Sequence, residues 1–244
     1  MLDANFSFGT MAETAAVQAL MGEAQPVIIV GVGTAADPAT HWLRRLRDYT
    51  PGAPRLDSAS PTAAMIQRKL SAVGHDPHEW MGHAPEFLRF LQDEPLPRLM
   101  TDYPVDSADI GACGHSAGGA FLSYVLLRKA PPFTKLIIGS FGVNWYTPET
   151  LARLERTFAG CPAGREVQVY SAFGGAELAD HSINALLRDS FALLDRLAEA
   201  DPGYTFTRQV FDRQGHGSMI ACLAASGIRH LWPGKPYTEA AETR

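Results

Sequence analysis

The chain has 244 residues, of which 46% are hydrophobic and 19% are charged, and its formal net charge is -5. This length and composition exclude a fibrous or disordered chain and predict a single domain over 1–244 that needs no disulfide or metal for stability. Because the charge is mildly negative, there is no basic surface for phosphates, which argues against nucleic acid as a partner.

The sequence shows neither a targeting signal nor a membrane span. Residues 1–10 lack a basic segment followed by an apolar core, and the apolar run 27–30 is far shorter than the roughly 20 residues that a bilayer requires. We therefore expect a cytoplasmic protein without a membrane partner. The three cysteines are interpreted as small buried apolar residues, because they could form at most one disulfide: Cys113, Cys161 and Cys222.

Short apolar runs alternate with amphipathic segments along the chain. In chain order the pattern predicts a helix over 14–21, strands over 26–33 and 110–113, a helix over 120–129, strands over 136–139 and 167–170, a helix over 183–200, a strand over 205–211 and a helix over 219–232. The run 26–33 is β-branched and apolar, which is typical of a strand buried on both faces. The alternation predicts an α/β three-layer sandwich with a mainly parallel sheet.

The stretch 52–83 fits neither the strand period nor, apart from a piece near 64–73, the helix period. Long irregular insertions in compact domains are either lids and binding loops or plain surface loops. Both interpretations remain open, and the stretch is a candidate lid.

A nucleophile motif lies between the predicted strand 110–113 and the predicted helix 120–129. Gly114, Ser116 and Gly118 form the pattern G-x-S-x-G, in which glycines permit a tight turn that raises the serine hydroxyl above the edge of the sheet. The N–H of Ala117 would then begin a helix and face a developing oxyanion. The competing interpretation is an ordinary glycine-rich start of a helix.

A serine nucleophile needs a base, and a histidine on a returning loop can supply it. His216 lies between the last predicted strand and helix, flanked by two glycines. The acid that orients it should follow the strand 167–170, where Glu177 and Asp180 are both available. Glu177 is favoured because it follows a Gly-Gly turn, while Asp180 suits a helix cap, and a Ser–His dyad without an acid is the third possibility.

With these residues the chain resembles the esterase branch of the α/β hydrolases, which includes enterochelin (ferric siderophore) esterases, esterase D-like enzymes and mycolyltransferase-like proteins. The matching segments run through most of the sequence: 2–9, 30–33, 45–51, 86–91, 114–119, 139–145 and the loops at 175–177 and 216. The resemblance implies a serine esterase that cleaves a small-molecule ester, siderophore-like or a small acyl ester, through an acyl-serine on Ser116. No metal or organic cofactor is implied, and no oligomeric state.

The resemblance also suggests further site residues. In relatives the second donor to the oxyanion lies in a turn that falls on Ala4 and Asn5 here. We expect the Asn5 amide to be this donor. The local sequence offers Gly33 as the alternative. Arginines line the pocket in siderophore esterases, and a guanidinium suits an anionic group. The expected substrate-binding residues are therefore Arg45, Arg47, Tyr49, His115 and Trp145. A plain surface pair of arginine with aspartate remains open.

The chain departs from this family at its amino end. In relatives several strands precede the turn at residues 2–5, whereas Met1 stands here where a central strand should finish. We expect an N-terminally truncated sheet, with either a gap between 26–33 and 110–113 or direct pairing of the two. The alternative function is therefore a catalytically weak or inactive binding protein with the hydrolase fold.

A dinucleotide-binding protein is the remaining candidate, because 31–36 mimics a G-x-G-x-x-A fingerprint. That fingerprint must open a helix, and Asp37 with Pro38 is expected to break one at its start. We therefore reject this interpretation.

Overall fold

The computed structural model describes residues 1–51, 61–128, 132–143, 146–160, 166–180 and 184–235. The helices are α1 (Ala4–Leu20), α2 (Pro38–Tyr49), α3 (Pro61–Ser71), α4 (Pro77–Trp80), α5 (Ala84–Asp93), α6 (Pro95–Asp102), α7 (Ala117–Leu127), α8 (Pro148–Gly160), α9 (Gly175–Ala179), α10 (Asn184–Ala200) and α11 (Met219–Leu231). The strands are β1 (Gly111–His115), β2 (Lys135–Gly139), β3 (Val167–Gly174) and β4 (Tyr204–Phe211).

The four strands form one parallel sheet in the order in which they occur in the chain. Cys113 pairs with Ile137, and Ile137 pairs with Tyr170 in the next strand. All of β2 after Lys135 is buried, as expected for a strand covered by helices on both faces. The predicted α/β class and parallel sheet are thereby confirmed.

Helices cover both faces of the sheet and enclose two apolar clusters. On one face, α1 and α11 pack together, and residues such as Tyr170 and Leu223 form the smaller cluster. On the other face, α7 lies against β1 and β2, and Phe121, Leu136 and Phe173 belong to the larger cluster. These two clusters give the three-layer sandwich that the sequence predicts.

The segment 26–33 was expected to be a strand, and this prediction is wrong. Its backbone bonds are confined to its end: Val30 O accepts from the Met1 amino group, Val32 N donates to Met1 O, and Val32 O accepts from Ala4 N. A strand requires a ladder partner along its length, and within the described residues the first part of this segment has none.

Of the two arrangements expected at the amino end, the structure has the gap. Leu2 N donates to Cys113 O at 2.9 Å, so the first residues lie between the segment 26–32 and β1 and hold them apart. Behind them a cavity of about 440 Å³ lies between Val27, Ile29 and Ile110.

The candidate lid is more regular than expected. Residues 61–83 contain α3 and α4, and Ile66 and Leu70 pack with Met81 in a separate small core under α2, while 52–60 lie outside the described residues. α3 corresponds to the helical piece expected near 64–73, whereas α4 has only four residues and is too short to show a helical period in the sequence.

A second expectation also fails, because Asp37 and Pro38 open a helix instead of breaking one. The Asp37 carboxylate accepts from Ala39 N at 3.0 Å and from Thr40 N at 3.1 Å, which caps α2. Proline is well suited to the first helical position, where its missing N–H would have no partner in any case.

A buried ion pair ties the amino-terminal residues to α2. Arg45 donates two hydrogen bonds to Asp3, Nε to Oδ1 at 2.8 Å and Nη2 to Oδ2 at 2.7 Å. Asp3 has a positive φ of 52° and its N–H donates to the Tyr49 hydroxyl at 3.3 Å. Both charged side chains are almost enclosed, at 13% and 12% exposure.

We predict that Arg45→Met lowers the free energy of unfolding by about 3–5 kcal/mol, because it leaves the Asp3 carboxylate buried without its partner. Arg98→Met is the control, since Arg98 forms an exposed pair with Asp102 and its loss should cost less than about 1 kcal/mol. Urea unfolding of the two variants measures the difference. Equal losses would contradict a structural role for the buried pair.

Candidate active site

The nucleophile motif adopts a strained turn between β1 and α7. Ser116 has φ 60° and ψ -120°, a conformation that L-residues rarely adopt. A Cβ on Gly114 would lie 2.4 Å from Gly118 O, so glycine is needed for the close approach. Ser116 N donates to Gly139 O at 2.9 Å, which fixes the turn against β2. The surroundings therefore hold the strained serine in place.

The turn opens α7, and this places free amides beside the serine. Ala117 is the first helical residue, and Ala120 N is the amide that donates to Ser116 O. The first amides of a helix have no partner within the helix and carry the positive end of its dipole. The N–H of Ala117 is therefore available to an anionic oxygen.

His216 reaches the same place from the loop between β4 and α11. Ser116, His115 and His216 line one cavity of about 210 Å³, to which Asp3 and Arg45 also contribute. The rings of His115 and His216 lie 4.5 Å apart, and the His216 side chain is 46% exposed. The fold thus brings together a serine and a histidine that are separated by 100 positions in the sequence.

Glu177 lies near the start of α9, just after β3, and contacts His216 directly. Its Oε1 is 2.5 Å from His216 Nδ1, and its Oε2 accepts from Ser140 Oγ at 2.6 Å and from Gly174 N at 2.8 Å. Burial by itself raises the pKa of this carboxyl, but hydrogen bonds from His216, Ser140 and Gly174 outweigh burial, so the pKa lies below its usual value. Glu177 is therefore ionised near neutral pH.

The pairing also decides which nitrogen of His216 is free. Since Nδ1 faces a carboxylate, it carries the proton, and Nε2 of the neutral ring is left unprotonated. Asp180, the other predicted acid, is exposed at the carboxyl end of α9. Ser140 is a site residue that was not predicted, and its position directly after the end of β2 is the signal that could have indicated it.

His115 contacts the backbone of the His216 loop. Its Nε2 lies 2.8 Å from His216 O, which requires the proton to be on Nε2, and its buried Nδ1 has no hydrogen-bond partner among the described residues. Burial lowers the pKa of His115 to about 4, helped by repulsion from a charged His216. His115 is therefore neutral near pH 7.

The predicted substrate-binding residues are scattered. Arg45 lines the Ser116 cavity while bound to Asp3. Arg47 pairs with Asp48 at 2.8 Å and lies over the Trp80 ring. Tyr49 is buried under the ion pair of Arg45, and Trp145 lies outside the described residues.

The predicted oxyanion residues of the amino end lie beside a neighbouring cavity. Ala4 N already donates to Val32 O at 3.1 Å. The Asn5 side chain donates to Thr34 O and accepts from Thr34 N, and Gly33 packs against that side chain. Asn5 lies in the first turn of α1, and its backbone N–H has no backbone acceptor among the described residues.

Among proteins of assigned function, the chain is similar to the ferri-bacillibactin esterase BesA of Bacillus subtilis (strain 168). The two are 31% identical over 245 residues, which cover 97% of this chain and 79% of BesA. No protein-family model matches the chain. Within the described residues, no helix combines the length and the apolar character required to cross a membrane.

Solved structures share the fold. The IroE-like serine hydrolase from Shewanella oneidensis is similar with a TM-score of 0.72 and 22% identity, over 95% of this chain and 68% of that one. The BES protein from Bacillus cereus has a TM-score of 0.74 and 23% sequence identity, over 95% of this chain and 82% of that one. The siderophore hydrolase EstA from Aspergillus nidulans has a TM-score of 0.70 and 20% sequence identity, over 94% of this chain and 80% of that one.

These relatives do not favour the alternative of an inactive binding protein. The identity to BesA extends over nearly the whole chain, and the structural likeness covers the same residues. The chain belongs to the siderophore esterase-like family of the α/β hydrolases, and it is a carboxylic ester hydrolase of the serine type.

Proposed function

We propose that Ser116, His216 and Glu177 are the catalytic triad of this ester hydrolase. The observation that carries the proposal is the contact of Glu177 Oε1 with His216 Nδ1 at 2.5 Å, beside a cavity that His216 shares with Ser116. The contact orients the ring and leaves Nε2 free to act as a base. Glu177 is ionised near neutral pH, as its role requires, because hydrogen bonds hold its pKa below the usual value.

The reaction proceeds by addition and elimination at the ester carbonyl. His216 Nε2 takes the Ser116 hydroxyl proton as Oγ attacks the carbonyl carbon, and the tetrahedral intermediate collapses as His216 protonates the leaving alcohol. Water then attacks the acyl-serine by the same route in reverse, which releases the acid and restores the serine. Glu177 stays ionised and stabilises the imidazolium that forms twice in the cycle.

The negative oxygen of the intermediate needs donors that are fixed before the reaction. We assign the first to the N–H of Ala117 at the positive end of α7. The N–H of Asn5, in the first turn of α1, is the proposed second donor. Both belong to helix starts, where the dipole favours negative charge.

His115 is proposed as a positioning residue that acts through His216. Its hydrogen bond to the His216 carbonyl oxygen fixes the backbone of the loop, while the contact of Glu177 with Nδ1 fixes the His216 ring. A neutral His115 also avoids a second positive charge beside the imidazolium. Direct binding of the substrate, which the sequence analysis expects for His115, is the alternative role.

The proposed substrate is a siderophore ester or a comparable small acyl ester. BesA is named for ferri-bacillibactin, and EstA is a siderophore hydrolase. In this chain the charge of Arg45 is already balanced by Asp3, so it offers little net attraction to an anion. Hydrolysis rates across siderophore lactones, p-nitrophenyl esters and thioesters would rank these substrate classes.

Ser116→Ala should lower kcat for p-nitrophenyl acetate at least about 10⁴-fold, because it removes the nucleophile. It should also abolish labelling by a fluorophosphonate, while the melting temperature stays close to that of the parent. Ser107→Ala changes an exposed serine and is the matched control. Labelling of Ser116→Ala at the parental rate would refute the assignment of the nucleophile.

Glu177→Gln and Asp180→Asn distinguish the possible acids, since each replaces a carboxylate by an amide of the same shape. We expect about a 10³–10⁴-fold loss of kcat in Glu177→Gln, because an amide cannot stabilise the imidazolium, and less than about a twofold change in Asp180→Asn. Steady-state kinetics at pH 8 measure both. Nearly full activity in Glu177→Gln would instead indicate a Ser–His dyad.

The low pKa of His115 predicts a pH dependence of stability. Between the ordinary histidine value of about 6.5 and the folded value of about 4, the unfolded chain takes up a proton that the folded chain refuses, so stability falls as pH decreases. From pH 7 to pH 5 this contribution is about 2 kcal/mol, and His115→Gln should remove it from the urea-unfolding profile. His78→Gln, an exposed control, should retain the parental profile.

The same His115→Gln variant tests the positioning role. We expect kcat to fall about tenfold with KM almost unchanged, because a displaced His216 affects the chemical step and not binding. A rise in KM with constant kcat would contradict positioning and favour direct contact with the substrate.

A further inference from the structure

The cavity of about 210 Å³ beside Ser116 extends between α1 and α11, which pack against each other. Its walls there are the apolar side chains of Phe6 and Met11 on α1, and of Ile220 and Leu223 on α11. Met11 and Leu223 belong to the smaller apolar cluster, so the cavity leads from the nucleophile to the core of that face of the sheet. We call this part of the cavity, lined by these four side chains, the apolar pocket.

The charged and polar side chains that line the same cavity bind one another. Asp3 and Arg45 form the buried ion pair, and Ser7 Oγ donates to Asp3 O at 3.0 Å. His115 is neutral and donates from Nε2 to His216 O. The described walls beside the apolar pocket therefore carry no unbalanced charge, apart from the imidazolium that forms during the reaction.

The volume of the cavity limits the group that it can hold. A cavity of about 150 Å³ lined by leucine, isoleucine and phenylalanine is large enough to bind benzene. By this measure a cavity of about 210 Å³ holds roughly eight carbon atoms at most. A larger substrate can place one substituent here and must leave its remainder outside.

The positions of the proposed catalytic groups indicate which end of the ester the pocket receives. Phe6 directly follows Asn5, the proposed second donor to the oxyanion, so a carbonyl group bound at that amide lies close to the pocket. The leaving alcohol takes a proton from His216, whose side chain is 46% exposed, and it departs on that open side. The acyl group stays on Ser116 until water attacks it, and an enclosed pocket suits the part that stays.

From this lining we propose that the apolar pocket binds the acyl group of the ester, and that the preferred substrates carry an uncharged acyl group of up to about eight carbon atoms. The proposal rests on the proposed function, because it takes Ser116 as the residue that carries the acyl group. Phe6 and Ile220 are the specificity-determining residues, since they reach the cavity from the two helices, whereas Met11 and Leu223 are buried in the core.

A series of p-nitrophenyl esters from acetate to dodecanoate tests the proposal with one leaving group. Each methylene that enters the pocket should raise kcat/KM about two- to fourfold, because it leaves water for an apolar surrounding. The rise should end at about eight carbon atoms, when the pocket is full. Acetates of alcohols of increasing length should show no such rise. A rise with the alcohol chain and not with the acyl chain would overturn the assignment.

Substitutions at Ile220 should shift the preferred acyl length in opposite directions. Ile220→Trp fills the pocket and should lower the ratio of kcat/KM for hexanoate to that for acetate at least about tenfold, whereas Ile220→Ala should lengthen the preferred chain by about two carbon atoms. Phe6→Ala removes the wall on α1 and should lower the same ratio about threefold. Val17→Trp is the control, because Val17 is exposed on α1 and lies outside the cavity lining. Unchanged profiles in both Ile220 variants would overturn the proposal.

A charged acyl group distinguishes the apolar pocket from a site for anionic esters. p-Nitrophenyl hemisuccinate has the length of the butyrate but ends in a carboxylate, and the charge of Arg45 is already balanced by Asp3. Its kcat/KM should be at least about tenfold lower than that of the butyrate, because the carboxylate must leave water without a partner. Equal values for the two esters would contradict the proposal.

Hydrolysis of p-nitrophenyl acetate by Ser116→Ala, measured in parallel, separates a failure of the pocket from a failure of the proposed function. A flat chain-length profile in the parent, together with acetate hydrolysis that requires Ser116, would overturn the apolar pocket alone. Acetate hydrolysis by Ser116→Ala at the parental rate would instead overturn the proposed function, and with it the acyl assignment.

Discussion

The parallel alignment of four strands is the constraint on which the site depends. Because all four run in the same direction, their carboxyl ends lie at one edge of the sheet. Each strand is followed there by one polar residue of the site: Ser116 after β1, Ser140 after β2, Glu177 after β3 and His216 after β4. The proposed nucleophile, acid and base therefore lie at one edge of the sheet without any long loop having to position them.

Within that edge, the buried carboxylate of Glu177 determines how the other groups are arranged. A buried charge is stable only when its oxygens are fully hydrogen bonded. Oε2 accepts from Ser140 and Gly174, which fixes the carboxylate and leaves Oε1 for His216. Ser140 itself has a positive φ of 36° and is held by its N–H bond to Ala172 O. The conformational cost of the strained backbone at Ser140 is thus offset by its hydrogen bond to the ionised carboxylate of Glu177.

Much of this arrangement could be predicted from local sequence, because the local rules and the tertiary structure agree there. The turn at Ser116 needs glycine at 114 for steric reasons, and the loop glycines around His216 mark the end of a strand. The position of Ser140 directly after β2 could have indicated a site residue, but its bond to Glu177 could not be predicted, since that bond depends on the pairing of β2 with β3. The segment 26–33 was assigned to the wrong class because β-branched composition indicates an extended chain but cannot supply the neighbour that makes it a strand.

The amino-terminal residues help to position the proposed site, because they pack against the helix that begins after Ser116. A Cβ on Gly118 would lie 3.3 Å from Asp3 Oδ2 and 3.5 Å from Leu2 Cβ, so residues 2 and 3 pack directly on the first turn of α7. Asp3 in turn is held by Arg45, and its N–H bonds to Tyr49. Residues 2 and 3 therefore stabilise the start of the helix that carries Ala117, the proposed donor to the oxyanion.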